Sequence, residues 1–178
     1  EANLKKRLHQ YEEAQQVCNE AIHRYDQLAL LLNMLRETLQ LCDAGGSIRS
    51  KENVRSELTL VLKWIEELDH PALKEVLTPI QKHIDDILVP FEQAENVYKQ
   101  LKEKVPQQAL DFLVLAWQHE HLFHQSSAKQ KHYHQREAQE WLAFAEGLLN
   151  DEFEALRALV FEQMDTIVRA SSLVEMVN

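Results

Sequence analysis

The sequence predicts an all-α protein, a helical bundle with a long antiparallel coiled-coil-like hairpin at its N-terminus. Three observations carry this. Glycine occurs three times and proline four times in 178 residues, while Ala, Leu, Glu, Gln and Lys abound, so the chain has few places to break a helix. Apolar side chains recur in alternating steps of four and three over most of the length, the period of a helix face. No stretch alternates with period two for long enough to make a strand.

The first helix is expected to run about forty residues from Leu4, roughly 60 Å at the helical rise. Leu8, Tyr11, Gln15, Cys18, Ile22, Tyr25, Ala29 and Leu32 continue its seam in coiled-coil fashion. Asp43-Ala-Gly-Gly-Ser-Ile-Arg-Ser50 is the one glycine-rich turn and ends it. A second helix, from about Lys51 to Asp69, carries Val54, Leu58, Val61, Ile65 and Leu68 at the same spacing. The short connection makes the two an antiparallel hairpin over residues 1–69.

A bundle is expected over 71–170. Pro71 opens a short helix and Thr78-Pro79 restarts it, because proline is tolerated where an amide has no partner. Ile80, Ile84, Ile87, Phe91, Ala94, Tyr98, Leu101 and Val105 then form one unbroken seam, with a kink at Pro90. Pro106 opens a helix over Gln107 to Gln125 that is apolar almost all round at its start and should be the most buried. Ser126-Ser127 marks a break before the basic opening Lys129 to Arg136, and that helix stops between Gly147 and Asn150. Asp151 to Glu154 resembles a capping box for a last bundle helix with Phe153, Leu156, Val160, Met164 and Ile167 inward. Ser172 and Glu175 form a further capping-box pair, and the helix they open meets no stop signal, so it is expected to run on in a longer protein.

Composition narrows the function. A formal net charge of −10 opposes nonspecific nucleic-acid binding over the whole surface, since phosphate attraction needs a local excess of Lys and Arg. Any DNA contact is confined to a patch, and Lys129, Lys131 and Arg136 are the candidates. The longest apolar run, near Leu28 to Leu32, falls far short of the ~20 residues that span a bilayer. A cytoplasmic protein without a membrane partner is expected. Cys18 and Cys42 fall on one predicted helix, roughly 36 Å apart at its rise, and cannot pair; free thiols suit a reducing compartment.

Among the histidines, His119-Glu120 lacks the second histidine of a zinc-protease helix, because Phe123 stands where it should be. His121 and His124 have chelating spacing without a third ligand, so His119, His121, His124, His132 and His134 read as a polar face. Glu20 with His23 and Glu67 with His70 match the Glu-x-x-His spacing of di-iron bundles, an alternative that iron loading would test. Trp117 reads as core, with stacking on an unpaired base as its other role; Trp64 and Trp141 are weaker candidates for that role.

Several segments carry a family resemblance. Ser171-Ser-Leu-Val-Glu-Met-Val-Asn178, preceded by Asp165-Thr-Ile-Val-Arg-Ala170, resembles the stretch bearing the last carboxylate of the DDE motif in bacterial insertion-sequence transposases. Glu20-Ala-Ile-His-Arg-Tyr-Asp26, Leu115-Ala-Trp-Gln118 and Glu152-Phe-Glu-Ala-Leu-Arg157 extend the likeness more loosely. Those enzymes interrupt an RNase H-like core with a large helical insertion before that glutamate. The resemblance implies that residues 1–170 are the insertion domain and 171–178 the first turn of the catalytic-core helix. It makes Glu175 a catalytic ligand for two magnesium ions, with two aspartates upstream of Glu1 completing the site. Transposon-end DNA and other transposase subunits in a homo-oligomer are the implied partners, and the 178 residues alone are expected not to cleave DNA. The competing expectation is a helical protein-protein interaction module without chemistry.

Overall fold

A computed structural model describes residues 2–167. Seven α-helices follow one another: α1 (Ala2–Thr38), α2 (Lys51–Glu67), α3 (Pro71–Lys82), α4 (Ile84–Leu101), α5 (Gln107–Gln125), α6 (Ala128–Leu149) and α7 (Phe153–Asp165), with one 3-10 turn at Asn150–Glu152. No strand occurs among the described residues, and none of their helices is long and apolar enough to cross a membrane. The chain divides into two compact units. One is the chain up to Leu39 with Glu57–Lys82; the other is Gln40–Ser56 with the chain from His83 onward.

In the first unit, α1 meets α2 only along its last third. Gln27, Leu30 and Leu31 line a shallow recess with Trp64, Glu67 and Leu68, so the C-terminal parts of the two helices lie side by side. Because α2 ends at Glu67, the earlier turns of α1 have no second helix of the hairpin beside them. Every residue from Asn3 to Gln27 is exposed. The expected seam therefore faces outward: Leu8 is 59% exposed, Ile22 53% and Tyr25 72%. Farther along, Leu28, Leu31 and Leu35 are half-buried and Thr38 is buried. That stripe lies one residue before the expected seam, a rotation of roughly 100°. The phase was hidden because Leu28-Ala-Leu-Leu-Leu32 is apolar in every direction.

Proline acts differently in α3 than expected. The helix does not restart at Pro79 but runs through it. Pro79 deprives the Glu75 carbonyl of its usual amide, and in the same turn the Thr78 hydroxyl donates to the Lys74 carbonyl at 2.8 Å. The break comes at His83, whose φ of −108° and ψ of 24° leave helical geometry before α4 starts. The expected unbroken seam from Ile80 is thus interrupted there, while Pro90 is accommodated inside α4.

The second unit is organised around α5. Leu110, Leu113, Val114 and Ala116 are fully buried, and Trp117 is 2% exposed. Helices α6 and α7 pack against it, contributing Ala145, Val160 and Met164 to a core that α4 joins through Leu88, Phe91 and Leu101. Helix α7 begins without the expected capping box: a 3-10 turn precedes it and no side chain caps its first amides.

The loop between α1 and α2 belongs to this core. Cys42 is not on the first helix, as expected from the sequence, but beyond its end; it is buried, whereas Cys18 is exposed, and neither forms a disulfide. An isolated antiparallel bridge joins Cys42 to Ile48. The Asp43 carboxylate accepts the amides of Gly45 at 2.8 Å and Ser47 at 3.1 Å. The turn leans on α5 so closely that a Cβ on Gly46 would stand 2.3 Å from the Asp111 carbonyl oxygen, and Gly46 has φ of +87°. Both the conformation and the close approach demand glycine.

Candidate functional site

The candidate residues lie around the hairpin of α5 and α6. Ser126-Ser127 turns the chain back, so residues equally far from that turn come opposite one another. Phe112 stacks on Trp141 with ring centroids 5.5 Å apart, and the His119 Nδ1 lies 3.0 Å from the His134 Nδ1. Lys131 sits over the Phe123 ring at 5.4 Å. The mirror relation was present in the sequence, but the two histidines were read as members of a polar face and not as a pair across a hairpin.

The basic start of α6 does not form one patch. Lys129 and Arg136 are seven residues apart and share a face, whereas Lys131 lies roughly 160° away on the side turned toward α5. Half-buried against Phe123, Lys131 is the least available of the three. Arg136 is exposed but has acidic neighbours, with Glu137 at 3.5 Å and Glu140 at 3.6 Å, and its guanidinium lies over Tyr133 at 5.9 Å. What remains for a phosphate is a pair, Lys129 and Arg136, already partly offset by carboxylates.

Trp117 is a core residue. Its indole Nε1 donates to Asp165 Oδ1 at 2.7 Å, and the His121 ring tilts against it with centroids 4.4 Å apart. At 2% exposure the ring offers no free face to a base, which removes it from the expected DNA contacts. The bond has a positional consequence: Asp165 is the last residue of α7, so the helix end is tied to the centre of the unit. Residues 168–178, with Ser172 and the metal-ligand candidate Glu175, lie outside the described residues.

The other metal readings find no geometry. His121 Nδ1 donates toward the Trp117 carbonyl at 3.2 Å, while His124 packs edge-on against Phe123, so their rings do not converge. Glu20, His23, Glu67 and His70 are all exposed and do not point into a bundle interior. Among the described residues no three His, Cys, Asp or Glu side chains are placed to hold a metal ion. Magnesium, which wants several oxygen ligands, has no donor set there.

Sequence reasoning also missed a partly exposed polar knot. Tyr98 donates its hydroxyl to Asp111 across α4 and α5, and Gln107 Nε2 donates to both, at 2.5 Å to the Tyr98 oxygen and 2.9 Å to Asp111. Burial, then the neighbouring carboxylate, pushes the Tyr98 hydroxyl up to about 12. Nearby, Gln118 Oε1 accepts the Cys42 amide at 3.1 Å. These bonds tie the loop, α4 and α5 together. The chain matches no known protein family, no curated protein and no solved structure.

Proposed function

We propose that the chain is the helical insertion domain of a DDE-type transposase, which braces DNA or neighbouring subunits and carries the last active-site carboxylate, Glu175. The observation that supports this reading is the junction at α7. The segment resembling the DDE glutamate region begins at Asp165, and Asp165 is the residue tied to the buried Trp117 indole at 2.7 Å. A helical domain with a fixed exit suits the task of delivering a carboxylate to a distant site. Magnesium, held by Glu175 with aspartates outside these 178 residues, would activate the attacking oxygen and stabilise the leaving one.

The test uses the longer protein. Glu175→Gln should abolish magnesium-dependent cleavage of transposon-end DNA while leaving DNA binding intact; cleavage at the original rate would end this reading. Neutralising Lys129 and Arg136 together should reduce the slope of log affinity against log salt by about 2, one for each phosphate that no longer faces a cation. An unchanged slope would remove α6 from the DNA interface.

A second reading has its own observation. The face of α1 with Leu4, Leu8, Tyr11, Ile22 and Tyr25 is exposed over its full length, which suits a helical interaction module that recruits a partner through a coiled-coil seam. Sedimentation equilibrium discriminates: reversible self-association lost in Leu8→Asp and Ile22→Asp supports it, and a monomer at every concentration, with no helical partner captured, counts against it.

A further inference from the structure

We propose that His119 and His134 form a two-nitrogen chelate for a divalent transition-metal ion of the zinc, nickel or copper class, clamping α5 to α6. The inference is independent of the transposase reading. It starts from the two Nδ1 atoms, which face each other at 3.0 Å from two different helices, with ring centroids 5.3 Å apart and the planes inclined by 40°.

Imidazole nitrogens bind such ions at about 2.0–2.1 Å. Two of them on neighbouring coordination sites therefore stand about 2.9 Å apart at a right angle and about 3.3 Å apart at the tetrahedral angle. The observed separation lies between these values, and the two lone pairs point along the line between the rings, so each ring turns by about 40° for both to converge on one ion. Without a metal, the pair shares one proton, one Nδ1 donating and the other accepting. With a metal, both Nδ1 lone pairs are used and the donor ring takes its Nε2–H tautomer, so each imidazole keeps one proton and none is released overall.

Two further features prepare the pair for a cation. Both rings are half-buried between the two helices, which shields them from solvent on the side where the nitrogens meet. Glu137, one turn after His134 on α6, exerts its negative charge on both rings and is only 20% exposed. No third His, Cys, Asp or Glu side chain converges there among the described residues, so water completes the coordination. A nitrogen pair rejects magnesium and calcium, which prefer oxygen, and follows the order in which copper exceeds nickel and zinc.

The experiment titrates zinc, nickel and magnesium salts separately into the 178-residue chain by calorimetry. Saturable one-to-one binding of zinc and nickel, but not magnesium, is expected. His119→Gln and His134→Gln should each weaken it by more than about tenfold, the scale on which metal sites respond to lost support. His124→Gln and His132→Gln should leave it unchanged. Absence of saturable binding, or equal losses in all four variants, overturns the proposal. A readout on the unaltered chain stands beside these: the electron paramagnetic resonance spectrum of one bound copper ion should show coupling to two imidazole nitrogens, and coupling to one or none overturns it.

Discussion

Helices α1 and α5 are both rich in apolar residues, yet they meet opposite fates. In α1 every side chain from Asn3 to Gln27 is exposed; in α5 the stretch Leu113 to Gln118 is buried without interruption. The difference lies in what stands beside them. Helix α5 is flanked by α6 and α7, and the loop before α2 closes over it through Cys42 and Gly46. Helix α1 outruns the helix it pairs with. A regular apolar stripe thus shows that a face is suited to burial, and only the neighbouring elements decide whether this chain buries it.

The comparison breaks first at Trp117. Replacing it with alanine removes the largest fully buried side chain together with its hydrogen bond to Asp165, and should cost about 3–5 kcal/mol. Ile22→Ala, on the exposed face of α1, should change the stability of the monomer by no more than about 0.5 kcal/mol. Urea unfolding followed by far-UV circular dichroism measures both. Comparable losses at the two positions would mean that α1 is covered in solution.

Much of this contrast could be read in advance, and the failures have identifiable causes. The limits of α5, Gln107 to Gln125, agree with expectation because Pro106 and Ser126-Ser127 are strong punctuation. The outcome for Thr78-Pro79 was missed because a single proline removes only one backbone bond, that to the Glu75 carbonyl, and the helix runs on through it. The phase of α1 beyond Ile22 was lost in five consecutive apolar residues. The division of Lys131 from Lys129 and Arg136 followed from helical angles alone and was masked by their closeness in sequence. The His119–His134 pair required knowing that α5 and α6 fold back on each other, a tertiary fact that no local pattern states.

Glycine sharpens the comparison at the loop that covers α5. Gly46→Ala puts a Cβ into the Asp111 backbone at a positive φ, and should cost at least about 2 kcal/mol, since strain of this kind alone amounts to about 1–3. Gly147→Ala is the counterpart, because a Cβ there meets nothing within 4 Å and lies inside α6. It should stabilise by about 0.5–1 kcal/mol through helix propensity. Denaturation midpoints moving in opposite directions would confirm that α5 is closed by close packing and not by composition; a tolerated Gly46→Ala would show that the loop can lift away.

The smallest effect concerns acid. Both paired histidines are lowered from their ordinary 6.5 in the folded chain, chiefly by burial, with Glu137 opposing and Tyr133 edge-on to His119. The unfolded chain takes up protons on these two residues near 6.5, while the folded chain resists until a lower pH. Their contribution is therefore fully present above about 6.5 and is lost as the pH falls through the lowered values, because the unfolded state binds more protons in that window. Protonating both rings also turns both Nδ1 atoms into donors and leaves the pair without an acceptor. Asp69 and Asp85, lowered from 3.8 by Lys74 and Arg55, act only in a more acid range. With chelator present, the fall in the urea midpoint between about pH 7.5 and 5 should be smaller in the His119→Gln, His134→Gln double variant than in the parent chain. Equal falls would show that the α5–α6 pair is as solvated as the open face of α1, and would place the boundary between covered and uncovered helix nearer to Trp117.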